Sequence, residues 1–306
     1  MRTLNLLISV FLIFTSVSFA NVNKCEKDIL ISFYEATNGT NWNQTWDLDE
    51  SVNNWFGVTV ENSHVVEINL SFNNLSGTIP SEIANLPNLR VLNLHMNSIK
   101  GSIPQNIGDF TTLEELNLSF NQINGEIPVS ICEIESLQSI VLFMNQLEGT
   151  IPANIGNLNN LEELILFNNN ITGFMPNSIG DLKNLRVLHL SSNSIEGVLP
   201  LEISKLSQLE LLSVFDNKMI GQIPNEIGNL NKLTELSLAN NSFDGDIPSE
   251  IAKLNHLVTL MLNNNNFDTT IIDEAIVNIP TLVDFKFISS PKVKATMSIN
   301  SAIVSD

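Results

Sequence analysis

Residues 89–112 read LRVLNLHMNSIKGSIPQNIGDFTT, and residues 113–136 read LEELNLSFNQINGEIPVSICEIES. The two 24-residue segments share all their leucines, the asparagine pairs 93/117 and 97/121, the glycines 101/125 and the prolines 104/128. Regular self-similarity of this kind is typical of stacked repeats. The period is kept without a slip by nine asparagines: Asn73, Asn97, Asn121, Asn145, Asn169, Asn193, Asn217, Asn241 and Asn265. The sequence therefore predicts nine repeats, which start at residues 65, 89, 113, 137, 161, 185, 209, 233 and 257.

Each conserved position of the repeat has a physical reason. The Leu-x-x-Leu-x-Leu run alternates apolar and variable residues, which predicts a short strand with one buried face. Strands from successive repeats stack in parallel at ~4.8 Å. The asparagine follows the strand, where its amide can satisfy main-chain groups that the bend buries. The later glycine permits an unusual backbone conformation, and the Ile-Pro pair starts the return leg.

These residues resemble the leucine-rich repeat family. The Leu-x-Gly-x-Ile-Pro segment is similar to its plant-type subclass, which is also met in secreted bacterial proteins. The resemblance covers residues 65–280 and implies an α/β fold, namely a right-handed leucine-rich repeat solenoid with a parallel sheet on its concave face. Nine strands at the usual spacing make a solenoid roughly 40 Å long.

The two ends of the repeat array need covers for their apolar faces. Residues 21–64 are interpreted as the N-terminal cap, with an amphipathic helix over residues 26–38 and all three tryptophans of the chain, Trp42, Trp46 and Trp55. This stretch resembles the N-terminal cap of the same family but lacks the cysteines of the plant cap, which favours a bacterial-type cap. Residues 281–306 are interpreted as a C-terminal cap and tail, either an edge-covering strand or a loose end.

The first 20 residues are typical of an export signal. One basic residue, Arg2, precedes a short apolar run, and small residues at Ser18 and Ala20 predict cleavage after Ala20. We therefore expect a secreted or cell-surface protein without a membrane span after cleavage. Cys25 and Cys132 lie about three repeats apart, beyond the ~7 Å reach of a disulfide, so we expect them to be unbridged.

The composition excludes some classes of function. The chain of 306 residues carries 33 acidic and 14 basic residues, for a net charge of −19, which argues against nucleic-acid and anionic-membrane partners. The four histidines fall in different repeats, and no phosphate loop or nucleophile motif is present. Residues 47–58 alternate polar residues as a calcium loop does, but lack its glycine and terminal glutamate. We expect no enzyme activity, no cofactor and no metal site.

The third, fifth and seventh residues of each repeat are predicted to face solvent on the concave side. The fifth and seventh positions are polar in repeats one to three and change to apolar residues from repeat four. The predicted apolar patch, with one acidic neighbour, consists of Val141, Phe143, Ile165, Phe167, Val187, Leu211, Phe215 and Glu163. Contiguous exposed apolar patches usually mark interaction sites.

A simpler interpretation of the two phenylalanines in the patch remains open. Phe143 and Phe167 could simply stack on one another as cross-strand neighbours, with no ligand involved. The residues just before the asparagines, Phe72, Met96, Phe120 and Met144, are predicted to be partly buried rather than ligand contacts.

The favoured function is a non-enzymatic extracellular recognition module. Its expected partner is a protein or peptide with apolar anchors and positive charge, bound on the concave face of repeats four to seven. The family resemblance also leaves a second candidate, an inhibitor of a secreted cell-wall hydrolase that degrades polysaccharides.

Overall fold

A computed structural model describes residues 22–268 and 273–287. It confirms the predicted α/β solenoid with a large parallel sheet. The predicted export signal and the tail beyond residue 287 lie outside the described residues.

Eighteen strands and two helices are found among the described residues. The helices are α1 (Lys24–Ala36) and α2 (Glu274–Val277). The strands are β1 (Val58–Glu61), β2 (His64–Asn69), β3 (Ser76–Gly77), β4 (Val91–Asn93), β5 (Ser98–Gly101), β6 (Glu115–Asn117), β7 (Gln122–Glu126), β8 (Ser139–Val141), β9 (Gln146–Glu148), β10 (Glu163–Ile165), β11 (Val187–His189), β12 (Glu196–Gly197), β13 (Leu211–Ser213), β14 (Lys218–Gly221), β15 (Glu235–Ser237), β16 (Ser242–Phe243), β17 (Thr259–Met261) and β18 (Asp284–Lys286).

The main sheet has eleven strands in the order β1-β2-β4-β6-β8-β10-β11-β13-β15-β17-β18. Only β1 runs antiparallel to its neighbour; the other pairs are parallel, and each residue faces the residue one repeat later, as Leu92 faces Leu116 and Leu116 faces Ile140. This register places equivalent positions of successive repeats in straight rows across the sheet.

The core lies behind the main sheet. The first, fourth and sixth residues of each repeat, such as Leu89, Leu92 and Leu94, are fully buried. Short 3-10 helices such as Ser81–Asn85 form the opposite wall and bring in Ile83 and its equivalents. Two smaller parallel sheets, β3-β5-β7-β9 and β12-β14-β16, lie on the flank between sheet and helices.

The asparagines form the expected ladder beside the main sheet. The Oδ1 of Asn97 accepts the N–H of Leu75 at 2.9 Å, and its Nδ2 donates to the carbonyls of Leu70 and Leu94 at 2.9 Å each. The same pattern of bonds recurs one repeat at a time through to Asn265. These amides satisfy main-chain groups that the strands leave unpaired.

The N-terminal cap closes the first repeat. Its helix α1 begins and ends two residues earlier than the sequence predicts, because Asn23 caps it by accepting the N–H of Glu26 at 2.9 Å. The buried carboxylate of Glu26 accepts the N–H of Val65 at 2.7 Å, which ties the helix to β2. Trp46 stacks on Trp55 with ring centroids 4.6 Å apart.

Both cysteines are free, as predicted. Cys25 is exposed on the cap, whereas Cys132 is buried in the return leg of repeat three. Burial first, and then the negative charge of Glu133, raise the pKa of the Cys132 thiol to about 11.

Candidate functional site

The concave face of the main sheet brings the predicted patch residues into three rows, formed by the third, fifth and seventh positions of the repeats. Val141 pairs with Ile165 across β8 and β10, and Glu163 pairs with Val187, which is followed in the same row by Leu211. The register thus assembles residues that are about 24 positions apart in the chain. The eight residues occupy the third, fifth and seventh positions of repeats four to seven.

The patch is less exposed than the sequence suggests. Val141 is only 9% exposed, and the other apolar members of the patch are half-buried. A side chain in the middle of a sheet has neighbours about 4.8 Å away on both sides, so a short residue such as valine is covered by them. The accessible apolar surface of these rows is therefore supplied mainly by the larger side chains.

The phenylalanines of the patch are stacked. The rings of Phe143 and Phe167 lie 4.4 Å apart at 10°, and the ring of His189 continues the stack 4.4 Å beyond Phe167 at 29°. Burial lowers the pKa of His189, which keeps this ring neutral near neutral pH. Phe215, in contrast, makes no ring contact within the described part of the chain.

The stack extends further towards the N-terminus than the sequence predicts. Centroid distances of 5.2, 5.7 and 5.6 Å join Phe72 to His95, His95 to Phe120, and Phe120 to Phe143. We call the continuous series the aromatic ridge; its members are Phe72, His95, Phe120, Phe143, Phe167 and His189. The ridge runs from repeat one to repeat six.

The prediction that the residues before the asparagines are partly buried is wrong. Phe72 is 60% exposed and Phe120 is 40% exposed, and both methionines are also exposed. The reason is the backbone: Phe72 has φ +56° and Phe120 has φ +54°, so the chain turns in the left-handed region and directs these side chains outward.

A signal for this conformation is present in the sequence. The same position in later repeats holds small polar residues, which tolerate the left-handed region well: Asn168, Ser192, Asp216, Asn240 and Asn264.

Carboxylates occur along the row of third positions, which is separated from most of the aromatic ridge by the row of fifth positions. Burial, followed by the charges of Glu163 and Glu67, raises the pKa of Glu115 above its ordinary value. Burial and then Asp284 raise the pKa of Glu235 in the same way. Glu163 accepts a hydrogen bond from Ser139 at 3.0 Å. The third, fifth and seventh positions of the nine repeats contain no lysine or arginine, so this face carries only negative formal charge.

Among residues 22–268 and 273–287, no three His, Cys, Asp or Glu side chains are placed to hold a metal ion. Within the same ranges, no helix has the length and apolar character needed to cross a bilayer.

The sequence and fold were compared with known proteins. The family model described as "Leucine rich repeat" matches residues 63–123 and 135–195, and the model described as "Leucine-rich repeat region" matches residues 166–283. No match was found among curated protein sequences.

Several solved structures share the fold. The leucine-rich repeat ectodomain of the plant membrane receptor kinase GASSHO1/SCHENGEN3 from Arabidopsis thaliana, solved with CASPARIAN STRIP INTEGRITY FACTOR 2, is 32% identical with a TM-score of 0.81. The match covers 84% of this chain and 31% of the ectodomain. The plant peptide hormone receptor RGFR1, solved with RGF2, is 33% identical with a TM-score of 0.68, over 70% of this chain and 34% of that one.

A plant ice-binding protein is similar over nearly its whole length. The match covers 89% of this chain and 97% of that protein at 24% identity, with a TM-score of 0.61, and shows a shared fold alone. The receptor ectodomains are longer, since this chain spans only about a third of each. The repeat columns, the solenoid and the family models agree, and the chain belongs to the leucine-rich repeat proteins.

Proposed function

We propose that this chain is a non-enzymatic extracellular recognition module that binds a protein or peptide on the concave face of repeats four to seven. The observation that carries the proposal is the stack of Phe143, Phe167 and His189 on the solvent side of the sheet. Aromatic side chains offer large contact area at low entropic cost, and they dominate interface energetics.

The charge on this face indicates the chemistry of the partner. Glu163 is aligned with Val187, two residues before His189 on the neighbouring strand. The partly desolvated Glu115 and Glu235 lie in the same third-position row as Glu163. The third, fifth and seventh positions contain no lysine or arginine. A positively charged partner would therefore be attracted by these carboxylates and would not be repelled by any lysine or arginine side chain at these positions. We therefore expect a ligand with apolar anchors that fit the stack and with basic residues beside them.

Similarity to known receptors supports this proposal. RGFR1 is described as a peptide hormone receptor, and it shares the fold over most of this chain. The predicted export signal would place the protein outside the cytoplasm, where such ligands occur.

The test is a pair of substitutions in the same repeat. A displayed library of peptides is first selected for binding to the purified chain. Phe167→Asp is then compared with Phe174→Asp, because Phe174 is 67% exposed but lies on the flank of repeat five, away from the concave face. We expect Phe167→Asp to weaken binding at least about tenfold and Phe174→Asp to leave it unchanged. Equal affinities for both folded variants would contradict the proposal.

Inhibition of a cell-wall hydrolase stays a second prediction. Adding the purified chain to polysaccharide-degrading enzymes distinguishes the two functions, since only an inhibitor lowers turnover.

A further inference from the structure

A row of side-chain amides lies on the concave face of repeats one to three. Asn69, Asn93 and Asn117 occupy the fifth position of these repeats and are paired in register across β2, β4 and β6. In each of them Oδ1 faces the backbone N–H two residues later, at 3.4, 3.1 and 3.2 Å respectively. Because a backbone N–H can only donate, this contact fixes Oδ1 inward and leaves Nδ2 as the free end.

These three amide groups have unused hydrogen-bond donors. Within the described part of the chain, no acceptor is bonded to Nδ2 of Asn69, Asn93 or Asn117, and all three side chains are half-exposed. Each Nδ2 carries two N–H groups. The row therefore presents neutral donors, about 4.8 Å apart, to whatever lies on this face.

Unused acceptors lie beside the donors. Ser119 donates its single hydroxyl proton to Oδ1 of Asn117 at 2.6 Å, so it can only accept from Nδ1 of His95 at 2.7 Å. The proton of a neutral His95 therefore sits on Nδ1, and Nε2 is left as an acceptor. The carboxylate of Glu115, in the neighbouring row, has no hydrogen-bond partner among the described residues.

Exposed rings border the same area. Phe72 and Phe120 approach the ring of His95 from its two neighbouring repeats, at 5.2 and 5.7 Å. They form the N-terminal part of the aromatic ridge, and they are among its most exposed members. Repeats one to three thus combine free neutral donors, free acceptors and exposed aromatic surface.

We infer that the concave face of repeats one to three binds a neutral saccharide chain. Sugar rings carry several hydroxyl groups, each of which both donates and accepts, together with apolar C–H faces that pack on aromatic rings. Amide donors and the unpaired acceptors Glu115 and His95 suit the hydroxyls, and Phe72 and Phe120 suit the C–H faces. The site lies outside the peptide-binding patch of repeats four to seven.

Two other ligand classes fit this site less well. An anionic ligand would meet Glu67 and Glu115 with no lysine or arginine at the concave positions to offset them. An extended peptide lying across the strands presents main-chain carbonyls on one side only every ~6.8 Å, which does not match donors ~4.8 Å apart. The hydroxyl groups of a saccharide chain are more closely spaced than these main-chain carbonyls, so each amide donor can meet one.

The experiment is calorimetric titration of the purified full chain with cello-, manno- and xylo-oligosaccharides, with an oligogalacturonate as the anionic comparison. Asn93→Asp with Asn117→Asp keeps the inward oxygens but removes the outward donors. We expect this double variant to lower the affinity for the bound neutral saccharide at least about tenfold. Asn255→Asp, an exposed asparagine on the convex side, adds a charge without touching the site and should leave the affinity unchanged.

A second variant tests the rings without straining the backbone. Phe120→Asn introduces the residue that repeat five already holds at the same left-handed position, Asn168, so the variant should fold. We expect it to lower saccharide affinity about tenfold. The inference is overturned if no neutral saccharide binds, if both variants bind as the wild type does, or if oligogalacturonate binds more tightly. Loss of peptide binding alone in the double variant would also overturn it and assign these amides to a protein ligand.

Discussion

The asparagine ladder can be tested at Asn169, which is buried in the middle of the solenoid. Its Oδ1 accepts the N–H of Leu147 at 3.0 Å, and its Nδ2 donates to the carbonyls of Leu142 and Leu166 at 3.1 and 3.0 Å. Asn169→Ala removes these three hydrogen bonds together with a longer one, of 3.5 Å, from Nδ2 to the carbonyl of Phe167. The carbonyls of Leu142 and Leu166 keep another amide partner from the neighbouring asparagines, whereas the N–H of Leu147 loses its side-chain acceptor.

The expected loss follows from this difference. A buried N–H without a partner costs about 1–3 kcal/mol, and each of the other two bonds contributes about 0.5–1.5 kcal/mol net. We therefore expect Asn169→Ala to lower the free energy of unfolding by about 3 kcal/mol. Asn169→Asp fills the same volume but turns an oxygen towards the two carbonyls, so it should be at least as destabilising near neutral pH.

Two measurements check this expectation. Urea denaturation gives the change in stability, with Asn170→Ala as the control, because Asn170 is exposed and its side chain is unbonded within the described residues. Hydrogen exchange gives a local measurement, since repeat proteins can open in parts. The amide of Leu147 should lose about a hundredfold in protection. Unchanged protection at Leu147, or equal effects of the two alanine variants, would show that the ladder does not stabilise the stack.

Three further predictions concern other parts of the chain. Gly77→Ala should destabilise the cap by more than about 2 kcal/mol in thermal melts, because Gly77 has φ +105° and a Cβ would lie 2.1 Å from the carbonyl oxygen of Ala36; an unchanged melt would contradict this packing. The pKa of Glu115 is higher in the folded state than in the unfolded state. Between these two pKa values the folded state binds more protons than the unfolded state, so the free energy of unfolding falls as the pH rises through this range. Glu115→Gln should therefore raise the urea midpoint near about pH 7 and leave it unchanged near about pH 3; a gain at both pH values would point to another cause. Iodoacetamide should modify native Cys25 but not Cys132, which is buried with a pKa of about 11, and labelled Cys132 in folded protein would refute that burial.

The sequence predicts the fold well because each repeat position is sampled many times. A single leucine does not predict a buried position. The fourth position, however, is apolar in all nine repeats, as at Leu92, Leu116 and Ile140, and the structure buries it in every repeat. The glycine column is explained in the same way, since its members share a positive φ. The cap is not repeated, and the bounds of its helix α1 are accordingly two residues off.

The candidate site is harder to predict because it crosses the columns. The aromatic ridge takes Phe72 from the eighth position, His95 from the seventh, Phe120 again from the eighth, Phe143 and Phe167 from the seventh and His189 from the fifth. Comparison of the seventh positions alone finds His95, Phe143 and Phe167 but misses Phe72, Phe120 and His189. The remaining contacts depend on the left-handed turn before each asparagine, which the alternation of a strand does not reveal.

The same turn explains how the two halves of the concave face come to differ. Where the eighth position holds phenylalanine, as in repeats one and three, the seventh position holds serine, and the fifth holds an asparagine whose Oδ1 turns back to the chain. Where the seventh position holds phenylalanine, as in repeats five and seven, the eighth returns to Asn168 or Asp216. The aromatic rings thus lie at the border of the sheet in repeats one and three and nearer its centre in repeats five and seven. The asparagines at the fifth position occur only in repeats one to three, before this change. Chemical variety on this face therefore comes from neighbouring positions that exchange residue types, while the backbone repeats unchanged beneath them.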